Sequence, residues 1–165
     1  MTHDQNTQAT PDKASIRAEL DQTHAAYHEL LGSLSEEDWR ARSANPAWRV
    51  GQLMWHVVRG MEFFSEAVGQ CRRGKAPNPP AFLVNIGNVV LTRLGSRGAT
   101  PGSVAQKYDA AHAALLTCLD GVKDDEWQLS VTSYGTFHTI ESTFGSVAEH
   151  YEEHQADILK GLGRM

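Results

Sequence analysis

The chain has 165 residues, 41% of them hydrophobic and 21% charged, with a formal net charge of -5; that length suits one domain with its own core rather than two. No apolar run approaches the roughly 20 residues that a bilayer-spanning helix needs, and the N-terminal MTHDQNTQATPDK lacks the basic and apolar segments of a secretory signal, so no membrane association and a cytoplasmic location are expected. Lysines and arginines are scattered, with Arg72, Arg73 and Lys75 the densest group, which argues against nucleic acid as a partner.

In chain order, the polar residues 1–12, His3 among them, read as a disordered tail, and 13–165 as a single domain. Four long segments then carry a 3.6-residue apolar period, and no segment makes a convincing strand. The first helix is expected over 15–34, with Ile16, Leu20, Tyr27, Leu31 and Leu34 along one side. Ser35 opens SEEDW, a short helical turn ending at Trp39. The second long helix follows the Asn45-Pro46 turn signal and runs over 50–71; its stripe is Val50, Leu53, Val57, Met61, Phe64 and Val68.

Residues 74–99 form a long connection whose apolar middle, AFLVNIGNVVLTRL, reads as a short extra helix. It either fills one end of the core or serves as a lid or dimer contact. Thr100-Pro101 then announces the third long helix, an N-cap followed by proline at the first helical position, with Val104, Tyr108, Ala111, Leu115 and Leu119 inward and Gly121 at its end. The fourth covers 139–162, with Ile140, Phe144, Val147, Tyr151, His154 and Ile158 as its stripe. Four amphipathic helices with one long connection describe an all-α, four-helix-bundle architecture. The two cysteines cannot build a disulfide framework: Cys118, in an apolar pattern, reads as core, and Cys71, at a helix end beside two arginines, as a surface thiol.

Eight histidines are the unusual feature of the composition. His150 and His154 stand four apart, so their side chains project from adjacent turns on one face. Two inward imidazoles at this spacing are costly to bury without partners, and one metal ion at about 2.0–2.1 Å from each nitrogen would partner both. A third ligand must come from another helix. His56 is the first candidate, in the row Leu53, His56, Gly60, Phe64, where small Gly60 leaves room beside it. The competitors stay open: His24 and His28 are also four apart but read as a solvated helix flank near Asp21 and Glu29, His112 as a core histidine or a partner to a ligand, and His138 as a cap of the fourth helix. The string His150-Tyr151-Glu152-Glu153-His154 satisfies H-x-x-E-H, but a protease of that type needs a further carboxylate well downstream, and no glutamate follows among the last eleven residues.

Three stretches together resemble the DinB-like (DinB/YfiT-like) superfamily of metal-binding four-helix bundles: SEEDW after the first helix, WRVGQLMWHVV around His56, and DDEWQLSVTSYGTFHTIESTFGSVAEHYEEHQADIL with its H-x-x-x-H pair. The resemblance covers nearly all of the chain after the tail. It implies that His56, His150 and His154 bind one divalent ion, nickel or zinc. Arg49 stands where family members often carry Ser or Thr as a helix cap, and the proline-bearing 74–99 connection is longer than in a minimal member.

The resemblance further implies activation of a low-molecular-weight thiol by the ion for transfer or isomerisation, with a homodimer as the expected assembly. A non-catalytic metal- or ligand-binding stress protein and a metal-dependent hydrolase are the alternatives. Glu153, able in principle to orient a ligand, reads as an exposed helix residue.

Overall fold

The structure, a computed structural model, describes residues 10–165; the expected tail over 1–12, with His3, lies outside the described residues up to position 9. Asp12 caps the first helix by accepting from the amides of Ala14 and Ser15. Six helices follow in order: α1 (Lys13–Ser33), α2 (Glu36–Arg40), α3 (Val50–Arg73), α4 (Ala81–Gly95), α5 (Pro101–Asp120) and α6 (Ile140–Gly161). Between α5 and α6 two short strands, β1 (Ser130–Ser133) and β2 (Thr136–Thr139), pair antiparallel.

The four long helices form a bundle in which α1 packs against α5 and α6, and α3 packs against the same two. Around the bundle the order is therefore α1, α5, α3, α6, with α1 diagonal to α3 and α5 diagonal to α6. The expected stripes supply the core. Leu20 and Tyr27 come from α1, Leu53 and Met61 from α3, Tyr108 and Leu115 from α5, and Phe144 and Ile158 from α6, all nearly inaccessible. Tyr27 stacks on Tyr108 with ring centroids 3.7 Å apart and donates its hydroxyl to the Met54 carbonyl across the diagonal. Among the described residues no helix is long and apolar enough to cross a membrane.

The hairpin corrects the expectation that the chain holds no strand. SVTS and TFHT are too short to show a clear alternation, so periodicity passes over them; the residues of β2 are Thr136, Phe137, His138 and Thr139. Tyr134 and Gly135 form the two-residue turn, both with positive φ (51° and 82°), as a type I′ hairpin requires. The turn is held by the 77–78 segment: Tyr134 N–H donates to the Pro77 carbonyl and Gly135 N–H to Asn78 Oδ1 at 2.8 Å. This hairpin lies against α3 and covers Cys71, whose Sγ is 3.7 Å from the His138 carbonyl. Cys71 is therefore buried rather than a surface thiol, and burial pushes its pKa up. Cys118 is only half-buried, at the edge of the core.

The extra helix of the long connection is α4, and it does not fill the core. Phe82, Leu83, Ile86, Val90, Leu91 and Leu94 remain exposed, and its one buried residue is the polar Thr92. Helix α4 lies across α3, where Gly95 admits the Trp55 ring and Arg93 donates two hydrogen bonds to the Ala47 carbonyl.

Candidate metal centre

Two local devices set the start of α3, on which the candidate site depends. Ser35 and Asp38 form a reciprocal capping box on α2, which delivers Trp39 onto Gly51, where any Cβ would overlap the indole. Arg49 is the N-cap of α3 and supplies half a box: its amide donates to Gln52 Oε1 at 2.9 Å. A guanidinium has no acceptor, so the other half is missing, and Arg49 Nη1 instead donates to the Arg40 carbonyl. Arginine as the cap thus leaves α3 without the side-chain capping bond that Ser or Thr would supply.

Helices α3 and α6 are neighbours, and they bring His56, His150 and His154 together. One ring nitrogen from each lies within 4.8 Å of those of the other two. The ring centroids are 5.3 Å (His56–His150), 4.9 Å (His56–His154) and 4.7 Å (His150–His154) apart. His56 and His154 are buried and His150 is half-buried. The room left by Gly60 is taken by His150 rather than by His56: a Cβ at position 60 would overlap the His150 ring. Gly60 is thus where α3 lets the α6 imidazole approach.

Aromatic rings pack against the cluster. Trp48 stacks on His56 at 4.6 Å and meets His154 edge-on at 6.2 Å, while Phe64 meets His150 edge-on at 5.7 Å. Burial is the main cause of low basicity here, with mutual repulsion second: the His56 pKa is pushed down to about 3 and that of His150 to about 4. Burial also lowers His154, against the opposing pull of Glu153 and Asp157. All three rings are neutral at pH 7, the form in which imidazole binds a metal.

The donor set fits a divalent ion on two grounds. His154 Nδ1 is buried without a hydrogen bond, its nearest carboxylate oxygen, Asp157 Oδ2, standing 3.9 Å away. His56 Nδ1 lies 3.3 Å from Thr92 Oγ1 of α4, which leaves Nε2 as the coordinating nitrogen and gives the ring the outer hydrogen bond typical of metal-ligating histidines. Thr92 and Asp157 escaped the sequence reading. A polar residue in the apolar α4 segment is the one available signal for Thr92; nothing in the spacing marks Asp157. Trp48, recognised only as a motif residue, is the stacking partner of His56. Glu153 is exposed.

Of the remaining described histidines, His138, His24 and His28 are placed differently from expectation, whereas His112 is a buried histidine as one of its two readings had it. His138 sits in β2 with its Nε2 2.6 Å from Ser133 Oγ, and Thr139 caps α6 by accepting from the Ser142 amide. His24 and His28 are not a solvated flank: both are half-buried against α5, and both bond Asp109. His112 is buried and stacked on His24 at 4.3 Å.

Residues 7–158 match the family described as the DinB superfamily. Among solved structures, the mycothiol-dependent maleylpyruvate isomerase shares the fold, with a TM-score of 0.72 over 90% of this chain at 12% identity. This chain spans 61% of that chain's length. No curated protein matches.

Proposed function

This chain belongs to the DinB superfamily, and from that premise we propose that His56, His150 and His154 hold one divalent transition ion, zinc or nickel, as the centre of a thiol-dependent transferase or isomerase. The observation that carries the reading is the convergence of three imidazoles from α3 and α6, two buried and one half-buried, with an orphaned ring nitrogen among them. Three protein ligands leave coordination positions open, as catalytic zinc sites do, and an ion so held supplies Lewis acidity that favours a thiolate over a thiol at neutral pH. The described fold neighbour uses a small thiol, and that supports the choice of a low-molecular-weight thiol as the substrate class here.

The chain's own groups have separable tasks. Thr92 and Trp48 orient the His56 ring, and Gly60 sets the approach of His150. Trp48 and Phe64 wall the His56 and His150 rings, and the carboxylates of Glu153 and Asp157 act from the His154 side. Helix α4 ties Thr92 to the site while exposing six large apolar residues, a surface suited to an organic electrophile or to a second copy of the chain; a cytoplasmic homodimer is part of this proposal.

Metal-loaded protein incubated with a small thiol and a generic electrophile is expected to form the conjugate, and the metal-stripped protein to form none. Stoichiometric thiol binding without product would replace the enzyme by a binding protein. Retention of the buried ion by His56→Ala would remove the three-histidine site itself.

A further inference from the structure

On the opposite side of the bundle, where α1 meets α5, a second cluster of metal-binding groups repeats the plan with other chemistry. His24 and His28 stand one turn apart on α1, and Asp109 reaches them from α5. Asp109 Oδ1 accepts from His24 Nε2 at 2.8 Å and from His28 Nε2 at 2.7 Å. One oxygen thus serves two donors, and the three atoms all lie within 4.8 Å of one another. These hydrogen bonds hold the Asp109 carboxyl below its usual range.

The cluster is supported from beneath. His112, buried at 8% exposure, stacks on His24 with centroids 4.3 Å apart, and Tyr108 lies parallel to His24 at 5.8 Å. His28 packs edge-on against Tyr27 at 5.7 Å. His112 Nε2 is 3.1 Å from Asp21 Oδ1 but is not aligned for a hydrogen bond. The α1 imidazoles are therefore packed against rings of the core, whereas the Asp109 side chain is 54% exposed and bounded by solvent on its outer side.

We propose that His24, His28 and Asp109 form a second, surface-accessible site for a divalent first-row transition ion, zinc first, which ties α1 to α5. Two imidazoles and one carboxylate are a donor set that such ions accept readily. A tetrahedral ion with bonds of about 2.0–2.1 Å separates its ligand atoms by about 3.3 Å, so the His–Asp pairs need to open by only roughly 0.6 Å. Rotation of the half-exposed carboxylate supplies that movement. As the ion enters, each neutral ring shifts its proton from Nε2 to Nδ1 by exchange with solvent, so that Nε2 offers its lone pair while the ring stays neutral, and water completes the coordination from the exposed side. The site shares no residue with His56, His150 and His154, and it stands whether or not that cluster is catalytic.

The test is a zinc titration of the metal-stripped full chain, with bound metal counted after desalting. Two ions per chain are expected for the parent protein, and one for His28→Gln/Asp109→Asn. Asp109→Asn alone keeps an acceptor for the same hydrogen bonds while losing the charge, so it separates coordination from packing; its affinity at this site is expected to fall about tenfold or more. The occupied site should also raise the melting temperature of His56→Ala, because the ion binds only the folded chain. If the double variant melts as a folded protein and takes up zinc as the parent does, the proposal is overturned. Failure of the three-histidine site looks different: a single ion in the parent, lost in His28→Gln/Asp109→Asn and untouched by His56→Ala, which would support the present site.

Discussion

The α3/α6 seam and the α1/α5 seam face one another across the bundle, and each gathers two histidines four residues apart with one residue from the neighbouring helix. Identical spacing leads to different physical chemistry. At α3/α6 the third group is His56, the cluster is sealed by Trp48, Phe64 and Thr92, and burial leaves the rings neutral with a nitrogen unsatisfied. At α1/α5 the third group is Asp109, half in water, which accepts a hydrogen bond from each ring. The first seam lacks a partner that the protein does not itself provide; the second already has one, which an ion would have to displace. Burial and the charge of one residue, not the i, i+4 pair, decide the character of each seam.

The largest effect is expected from His154→Ala, which removes the most deeply placed ligand on α6 and should abolish binding at the buried seam in a metal titration, leaving the α1/α5 seam as it was. Gly60→Ala should come next. Its methyl group overlaps the His150 ring, and overpacking of this kind costs about 1–3 kcal/mol, to be read from urea unfolding together with weakened metal uptake. No glycine plays this part at the other seam.

Acid should distinguish the seams as well. The folded-state pKa values of His56 and His150 lie at about 3 and about 4, below the ordinary 6.5. Between those limits the unfolded chain binds more protons than the folded one, so stability is full above about pH 6.5 and declines as pH falls, by up to about 1.4 kcal/mol per unit for each such histidine. Asp109, with its lowered pKa, contributes in a different window: its stabilisation is present above the ordinary 3.8 and is lost only as pH falls through the lowered value. Urea midpoints of the metal-free protein should therefore drop between pH 6.5 and 4, with a shallower slope in His150→Gln and an unchanged slope in Asp109→Asn.

Thr92→Val keeps the shape of the side chain and removes its oxygen from His56 Nδ1. Loss of such an outer hydrogen bond typically weakens metal binding by about tenfold or more, and calorimetric titration of the buried seam reads it. The smallest change is expected from Asp109→Asn on metal-free stability, within about 1 kcal/mol, since exposed ion pairs contribute little.

The four long helices, their inward stripes and the H-x-x-x-H pair were legible because each depends on local periodicity: Val104, Tyr108, Ala111, Leu115 and Leu119 recur with the helical repeat and all are buried. The Thr100 and Thr139 caps likewise act within three residues. Partners across the bundle were not legible. Whether His24 and His28 meet water or Asp109 depends on a residue more than 80 positions away on α5. The filling of the Gly60 notch by His150, the burial of Cys71 under a hairpin of two four-residue strands, and the single polar contact through which exposed α4 reaches His56 are of the same kind. Helical phase tells which side of a helix is apolar, whereas which helix faces it, and at what height, is set by packing among all of them. The sequence by itself therefore determined a helical bundle and the histidine pairs on its helices; the tertiary structure alone decided which side chains meet those pairs, and whether they meet mostly buried or at the edge of water.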